Sequence, residues 1–246
     1  MILYTEGKKG INSLALRIIA ACAMICDCVW TYLVPGQSWV MQLNWVAFPI
    51  FAFLLTEGFN KTSDRKLFAV RLAIFAVISE IPYNLMVAGA ISFPRNQNIM
   101  FTLYFGFLCM SLVRAVREKW DNVILTGGTA VFSCWAAGWL GSSMGFDMGR
   151  MGPAIIMVFY IASGVRYKKL MQFVSLALIA VSAASDFIMS PVIGGYMYKM
   201  PAQAFSLLAL LAIWCYNGDR GPNSLALRRV FYAGYPIMCL AIALLS

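Results

Sequence analysis

The sequence predicts an all-α, polytopic integral membrane helix bundle that forms a single transmembrane domain over residues 1–246. Of its 246 residues, 61% are hydrophobic and only 12% are charged, and the mean hydropathy is +0.77. A soluble domain is usually about half apolar and about a quarter charged, so a soluble enzyme, a nucleic-acid binder and a disordered chain are all excluded. The net charge of +9 agrees with this, because the basic residues stand in small groups between apolar stretches, as in membrane loops.

Apolar run length predicts the individual helices, since a helix needs about 20 mostly apolar residues to cross a bilayer. We predict nine transmembrane helices. In chain order they are Ile11–Leu33, Trp39–Phe59, Leu67–Ala90, Asn98–Val116, Val123–Leu140, Met151–Val165, Leu170–Ser190, Met200–Tyr216 and Val230–Leu245. The sixth is short, so eight helices with one re-entrant segment is the alternative.

The distribution of basic residues predicts the orientation. Fourteen lysines and arginines fall on one side of the nine predicted helices and three on the other. The richer side carries Lys8, Lys9, Lys61, Arg65, Lys66, Arg114, Arg117, Lys119, Arg166, Lys168, Lys169, Arg220, Arg228 and Arg229. Cytoplasmic loops carry the excess of Lys and Arg, so the N-terminus is expected in the cytoplasm and the C-terminus outside.

Ionisable residues within or beside the membrane are costly and therefore indicate function. Asp27 lies in the outer half of the first helix, and Glu80 and Asp186 lie near the outer ends of the third and seventh. Asp147 and Arg150 stand in the loop before the sixth helix. The sequence therefore predicts a polar site at the outer side of the bundle. On the cytoplasmic side, Glu57 is expected to pair with Arg71.

Local motifs add polar candidates at the same outer side. In the segment SEIPYNL, Pro82 is expected to break the third helix beside Glu80 and to bring Glu80, Tyr83 and Asn84 together. Pro49 is likewise expected to kink the second helix. Asn98 stands at the start of the fourth helix, where its side chain could bind an oxygen-rich ligand or cap the helix.

The seven cysteines all fall in apolar stretches, which is typical of packed small hydrophobes. No motif has metal-ligand spacing, and no metal site is predicted.

Several motifs together resemble one family. They are MICDCVW, AFPIFAFLLTEGF, VRLAIFAVISEIPYNL, QNIMFTL, FDMG with GPAIIMVFY, CYNGDRG and FYAGYPIMCL, in this order along nearly the whole chain. In this order they resemble the TraX family of membrane acetyltransferases, named for the conjugative-pilus protein that acetylates the pilin N-terminus.

The chain departs from the family's pattern at three places. Where the family usually reads Asp-His late in the first helix, Asp27 is followed by Cys28; Asn44 and Trp45 replace a Gly-Arg pair; and Met238 replaces a His in the last helix. The sequence contains no histidine. Histidine is a common acid–base catalyst because its pKa lies near neutral pH. Cys28 could act instead as an acyl relay, although the adjacent carboxylate works against thiolate formation.

The resemblance implies an acyltransferase that moves acetyl from acetyl-coenzyme A to a peptide N-terminus, a hydroxyl or an amine at the extracytoplasmic side of a bacterial inner (plasma) membrane. The expected catalytic residues are Asp27, Cys28 and Glu80. The expected substrate-binding residues are Asn84, Asn98, Asp147, Arg150 and Asp186. The alternative is a non-catalytic relative that binds a lipid, a peptide or a protein partner. Expected partners are membrane lipids, a peptide or small-molecule acceptor and a further membrane protein, and no nucleic acid.

Overall fold

The fold is known from a computed structural model, which describes residues 10–34, 43–182, 188–189, 192–193, 196–197, 200–222 and 224–246. These residues are predominantly helical. The helices are α1 Ser13–Tyr32, α2 Asn44–Lys61, α3 Arg65–Ala88, α4 Ile99–Trp120, α5 Val123–Ser143, α6 Met151–Ala162, α7 Lys168–Ser182, α8 Ala209–Trp214 and α9 Leu225–Leu245, with a 3₁₀ helix Ala202–Leu207 before α8. Each predicted segment therefore contains a helix, but the bounds differ.

Two antiparallel strand pairs of two residues each lie between α7 and the 3₁₀ helix. Strand β1 Ile188–Met189 pairs with β4 Met200–Pro201, and β2 Val192–Ile193 pairs with β3 Tyr196–Met197. The prediction of a seventh helix reaching residue 190 is therefore wrong. Valine, isoleucine and tyrosine in this stretch favour extended backbone over helix.

Among the described residues, four helices are long and apolar enough to cross a membrane by length and composition: α1, α3, α4 and α5. Shorter apolar helical segments are Met151–Ala162, Ala202–Trp214 and Ala233–Leu245. Membrane character is thus supported, while the count of nine spanning helices and the orientation remain predictions. Large apolar side chains such as Phe132, Trp135 and Trp139 on α5 are exposed, as expected of a lipid-facing surface.

Helices α2, α4 and α6 form the centre of the bundle. Helix α6 is apolar on all sides and buried, and it packs against α2 and α4. Small residues let α4 and α6 approach closely: a Cβ at Gly152 would overlap the Thr102 side chain, and one at Gly106 would overlap Ile156. This packing fixes the start of α6, and with it the loop that precedes α6.

Pro82 does not break the third helix, so that expectation is wrong. Helix α3 runs from Arg65 to Ala88 with Pro82 inside it, and α2 likewise continues through Pro49. A proline removes one backbone donor, and membrane helices tolerate this loss because neighbouring groups compensate for it.

The expected pair between Glu57 and Arg71 is also wrong. Glu57 forms its ion pair with Lys61, with 2.6 Å between the carboxylate and the ammonium. The two residues are four apart on α2, which places them on adjacent turns of one face. The Lys61 ammonium also donates to the Tyr216 hydroxyl at 3.2 Å and to the Gly218 carbonyl at 3.1 Å, which ties α2 to the segment after α8.

Candidate functional site

The candidate site lies at the end of the bundle where α1, α3 and α5 end and α2, α4 and α6 begin. The loop between α5 and α6 is held here by backbone hydrogen bonds. The Gln97 amide donates to the Gly145 carbonyl at 2.8 Å, and the Asp147 amide donates to the Gln97 carbonyl at 3.1 Å. Gly145 has φ +70° and packs against the Arg95 carbonyl, where a Cβ would clash. The loop therefore presents Asp147 beside the start of α4.

Asn44 joins two carboxylates from distant parts of the chain. Its backbone amide, at the start of α2, donates to Asp27 on α1 at 3.3 Å, and its side-chain amide donates to Asp147 at 3.4 Å. The first amides of a helix have no partner within the helix and favour negative charge. Asn44 thus holds Asp27 and Asp147 in a single site.

Asp147 lies outside the helices, in a setting that disfavours its charge. Burial raises the pKa of its carboxyl above the ordinary value, and the hydrogen bond from Asn44 opposes part of this rise. Its side chain is nevertheless accessible to water. Asp147 therefore lies against protein while its carboxyl stays open to solvent. Such a carboxyl can exchange protons with a bound substrate.

Tyrosines and cysteines from three helices interact electrostatically with the carboxylates. Cys28 and Tyr32 on α1 are in electrostatic contact with both Asp27 and Asp147. Three residues from other helices also interact with Asp147, namely Tyr83 on α3 and Tyr235 and Cys239 on α9. The site thus combines carboxylates, thiols and phenolic hydroxyls, which are proton acceptors, nucleophiles and hydrogen-bond donors respectively.

Glu80 and Asn98 form a second polar pair beside this cluster. Asn98 is fully buried and donates from its side chain to Glu80 at 2.6 Å and to the Ala76 carbonyl at 2.8 Å. Its side-chain oxygen accepts from the Met100 amide at 3.0 Å, so it caps α4. Glu80 in turn interacts with Tyr83. The capping role expected for Asn98 is confirmed.

Of the remaining predicted residues, two have other surroundings and one lies outside the described residues. Asn84 is buried, and its side chain donates to the Ile91 carbonyl at 3.3 Å, which closes the end of α3. Arg150 lies on the wall of a groove between α5 and α6 that Trp135 and Trp139 also line. Asp186 lies outside the described residues. The structure thus brings Asp27, Cys28 and Asp147 together, with Glu80 and Asn98 adjacent.

Four further residues of the cluster were not among the predicted site residues: Asn44, Tyr32, Tyr235 and Cys239. Tyr235 and Cys239 stood in the motif FYAGYPIMCL, which carries the family resemblance, and Asn44 stood at a position where the chain departs from the family's pattern. No local pattern indicates that Cys239 lies near Asp147, because the two residues are far apart in sequence. Within the described residues, no group of three or more His, Cys, Asp or Glu side chains is arranged to hold a metal ion.

Among the comparisons with known proteins, one match extends over nearly the whole chain. No curated protein and no solved structure matches it. The family model described as TraX protein matches residues 13–246, which include every described residue of the carboxylate cluster. The chain therefore belongs to the TraX family.

Proposed function

We propose that this protein is a membrane acyltransferase that moves acetyl from acetyl-coenzyme A to an amine or hydroxyl acceptor, such as a peptide N-terminus, at the extracytoplasmic side of a bacterial inner membrane. The observation that carries this proposal is the meeting of Asp27 and Asp147 through Asn44, with Asp147 open to water and with thiols and tyrosines in electrostatic interaction with it. The membrane helices and the family membership are consistent with it.

Acetyl transfer to an amine needs a base, because the acceptor must lose a proton as it attacks. In the proposed reaction, Asp27 or Asp147 takes that proton. The acceptor nitrogen bonds to the acetyl carbonyl carbon, the carbon–sulfur bond breaks, and the carboxyl returns the proton to the departing sulfur. A carboxyl whose pKa is raised, as burial raises that of Asp147, suits both steps near neutral pH.

Negative charge develops on the acetyl oxygen during this attack, and donors placed beforehand stabilise it. The hydroxyls of Tyr32, Tyr83 and Tyr235 surround the carboxylates and are the proposed donors. Cys28 is the proposed alternative acceptor of the acetyl group, through a thioester that the final acceptor then cleaves. Glu80 and Asn98 position Tyr83 and the start of α4.

The test is transfer of radiolabelled acetyl from acetyl-coenzyme A to the purified protein and to an added peptide. Asp27→Asn and Asp147→Asn are expected to lower transfer by at least a hundredfold while the protein stays folded, because each removes a proton acceptor. Full activity in both variants would eliminate the carboxylates as the base.

The variant Cys28→Ser distinguishes direct transfer of acetyl to the final acceptor from transfer through a thioester on Cys28. Label that stays on the wild-type protein and is lost in Cys28→Ser supports the relay, and turnover retained in the variant supports direct transfer. Cys26→Ser is the matched control, because Cys26 lies on the same helix but is exposed away from the cluster. Its activity is expected to equal that of the wild type.

A second candidate function is non-catalytic binding of a lipid, a peptide or a membrane protein. It is favoured by one observation: the chain has no histidine at the positions where the family usually has one. In that case a lipid or peptide would raise the melting temperature while acetyl-coenzyme A would not, and no label would be transferred. Transfer lost in Asp27→Asn would instead favour the enzyme.

A further inference from the structure

A second polar cluster lies at the opposite end of the bundle, where α3 begins and α4 and α6 end. Arg65 is the first residue of α3, Arg114 and Arg117 lie near the end of α4, and Tyr160 lies in the last turn of α6. All three arginines interact electrostatically with the Tyr160 hydroxyl. Cationic side chains from two helices, α3 and α4, therefore act on a phenol of a third helix, α6.

Two atoms of this cluster are buried without a hydrogen-bond partner among the described residues. They are the Tyr160 hydroxyl and Nε of Arg65. Tyr160 is only 7% exposed. Phe59 fixes both groups, since the Arg65 guanidinium lies 5.3 Å from the centre of its ring and the Tyr160 ring packs edge-to-face at 5.6 Å. Buried polar groups usually have a partner, so this pair points to a bound ligand.

The charge of the cluster identifies the class of ligand. One carboxylate, Glu118, also acts on Tyr160, but it is exposed and pairs with Arg114 at 2.6 Å. Three guanidinium groups against one carboxylate leave the cluster positive. Guanidinium forms paired hydrogen bonds to phosphate oxygens, and a phenol can add one more.

We propose that Arg65, Arg114, Arg117 and Tyr160 bind the phosphate group of a phosphorylated ligand at this end of the bundle. The phosphate belongs either to a soluble molecule such as coenzyme A or to the headgroup of an anionic lipid. For coenzyme A the site rests on the proposed transfer function, whose acyl donor it would hold, and for an anionic lipid it is independent of that function. It also lies far from the carboxylates: Asn98 and Arg114 are separated by about 24 Å along α4.

The test measures thermal stabilisation of the purified protein by inorganic pyrophosphate and by coenzyme A in a neutral detergent, and compares nanodiscs of phosphatidylglycerol with nanodiscs of phosphatidylcholine. Arg65→Gln and Tyr160→Phe are expected to raise the half-saturating concentration about tenfold, because each removes a hydrogen bond to a charged group. Tyr160→Phe keeps the ring, so it preserves the packing with Phe59.

The control is Arg166→Gln, which removes one cation from the loop after α6, where the guanidinium lies over the Tyr167 ring. It is expected to bind as the wild type does. Stabilisation by coenzyme A in detergent, lost in Arg65→Gln and Tyr160→Phe, identifies a soluble ligand, and stabilisation by phosphatidylglycerol alone, lost in the same variants, identifies a lipid. Absence of stabilisation by every probe, or an equal loss in Arg166→Gln, would overturn the site. Asp27→Asn, which should lose transfer, is expected to keep phosphate binding, so the two proposals fail separately.

Discussion

At the scale of single residues, Asn44 organises the candidate site. One residue uses its backbone amide for Asp27 and its side chain for Asp147, so a single residue holds two carboxylates from distant parts of the chain together. Two carboxylates close together cannot both ionise easily, and one of them keeps its proton to a higher pH than usual. A proton that can be exchanged near neutral pH is what an acyl transfer without histidine requires.

Asp147→Asn is expected to stabilise the protein at neutral pH while it abolishes transfer. Burial raises the pKa of Asp147, so the folded state disfavours the ionised form, and stability is lost as pH rises through that raised pKa. Asparagine keeps an oxygen for the Asn44 side chain and removes the charge. The melting temperature should rise by a few degrees at most, because solvent reaches the carboxyl.

Melting curves of the wild type and Asp147→Asn over a series of pH values from acidic to neutral test this prediction. The difference between the two proteins should grow as pH rises and be smallest at the acidic end. If the melting temperature of the variant instead fell relative to that of the wild type as pH rises, the charge of Asp147 would stabilise the fold. Asp147 in turn acts on Asp27, so Asp27→Asn is measured alongside.

At the scale of the elements, two caps of the same residue type sit in different surroundings. Asn98 caps α4 from a fully buried position and also binds Glu80 and Ala76, whereas Asn122 caps α5 from an exposed position with one bond to the Leu125 amide. Asn98→Ala should cost about 3 kcal/mol, because it removes the cap and leaves buried groups unpaired. Asn122→Ala should cost only about 1 kcal/mol. Unfolding in mixed detergent measures both, and equal costs would contradict the role of Asn98.

The contact between α4 and α6 makes a second prediction at this scale. Gly152→Ala should destabilise the protein by about 1–3 kcal/mol, because the new methyl group would overlap Thr102 and press on Met148. Gly127→Ala on α5 meets no atom within 4 Å and should be neutral or slightly stabilising. The same unfolding assay compares them. A neutral Gly152→Ala would mean that α4 and α6 separate at no cost.

Sequence reasoning succeeded where the signal was local. Run length located a helix in every predicted segment, and the cap at Asn98 followed from residue type and position. Sequence reasoning failed where more than one local arrangement was possible and contacts within the fold decide between them. Helix α3 continues through Pro82, and Glu57 pairs with Lys61 on its own helix. Asp27 and Asp147 were assigned to one side by charge and topology. The residue that joins them, Asn44, has no local pattern that marks it.

At the scale of the whole molecule, the two polar clusters divide the bundle by charge. The carboxylates lie at the end where α3 finishes, and the arginines lie at the end where it starts. Cytoplasmic loops carry the excess of basic residues, so the arginine end is expected in the cytoplasm and the carboxylate end outside. In this orientation a phosphorylated ligand would bind from the cytoplasm, while proton transfer to an acceptor would take place at the outer face.

This orientation predicts the accessibility of the two loops that flank α3, which is one of the helices able to cross a membrane. Ser63 lies before α3 and Ser92 after it, and both are exposed. Ser92→Cys should react with a membrane-impermeant maleimide in intact cells, and Ser63→Cys should react only after permeabilisation, each measured above the labelling of the wild type with its native cysteines. Labelling of Ser63→Cys alone in intact cells would reverse the orientation. Labelling of both from one side would show that α3 does not cross the membrane, and the carboxylates and the arginines would then face the same compartment.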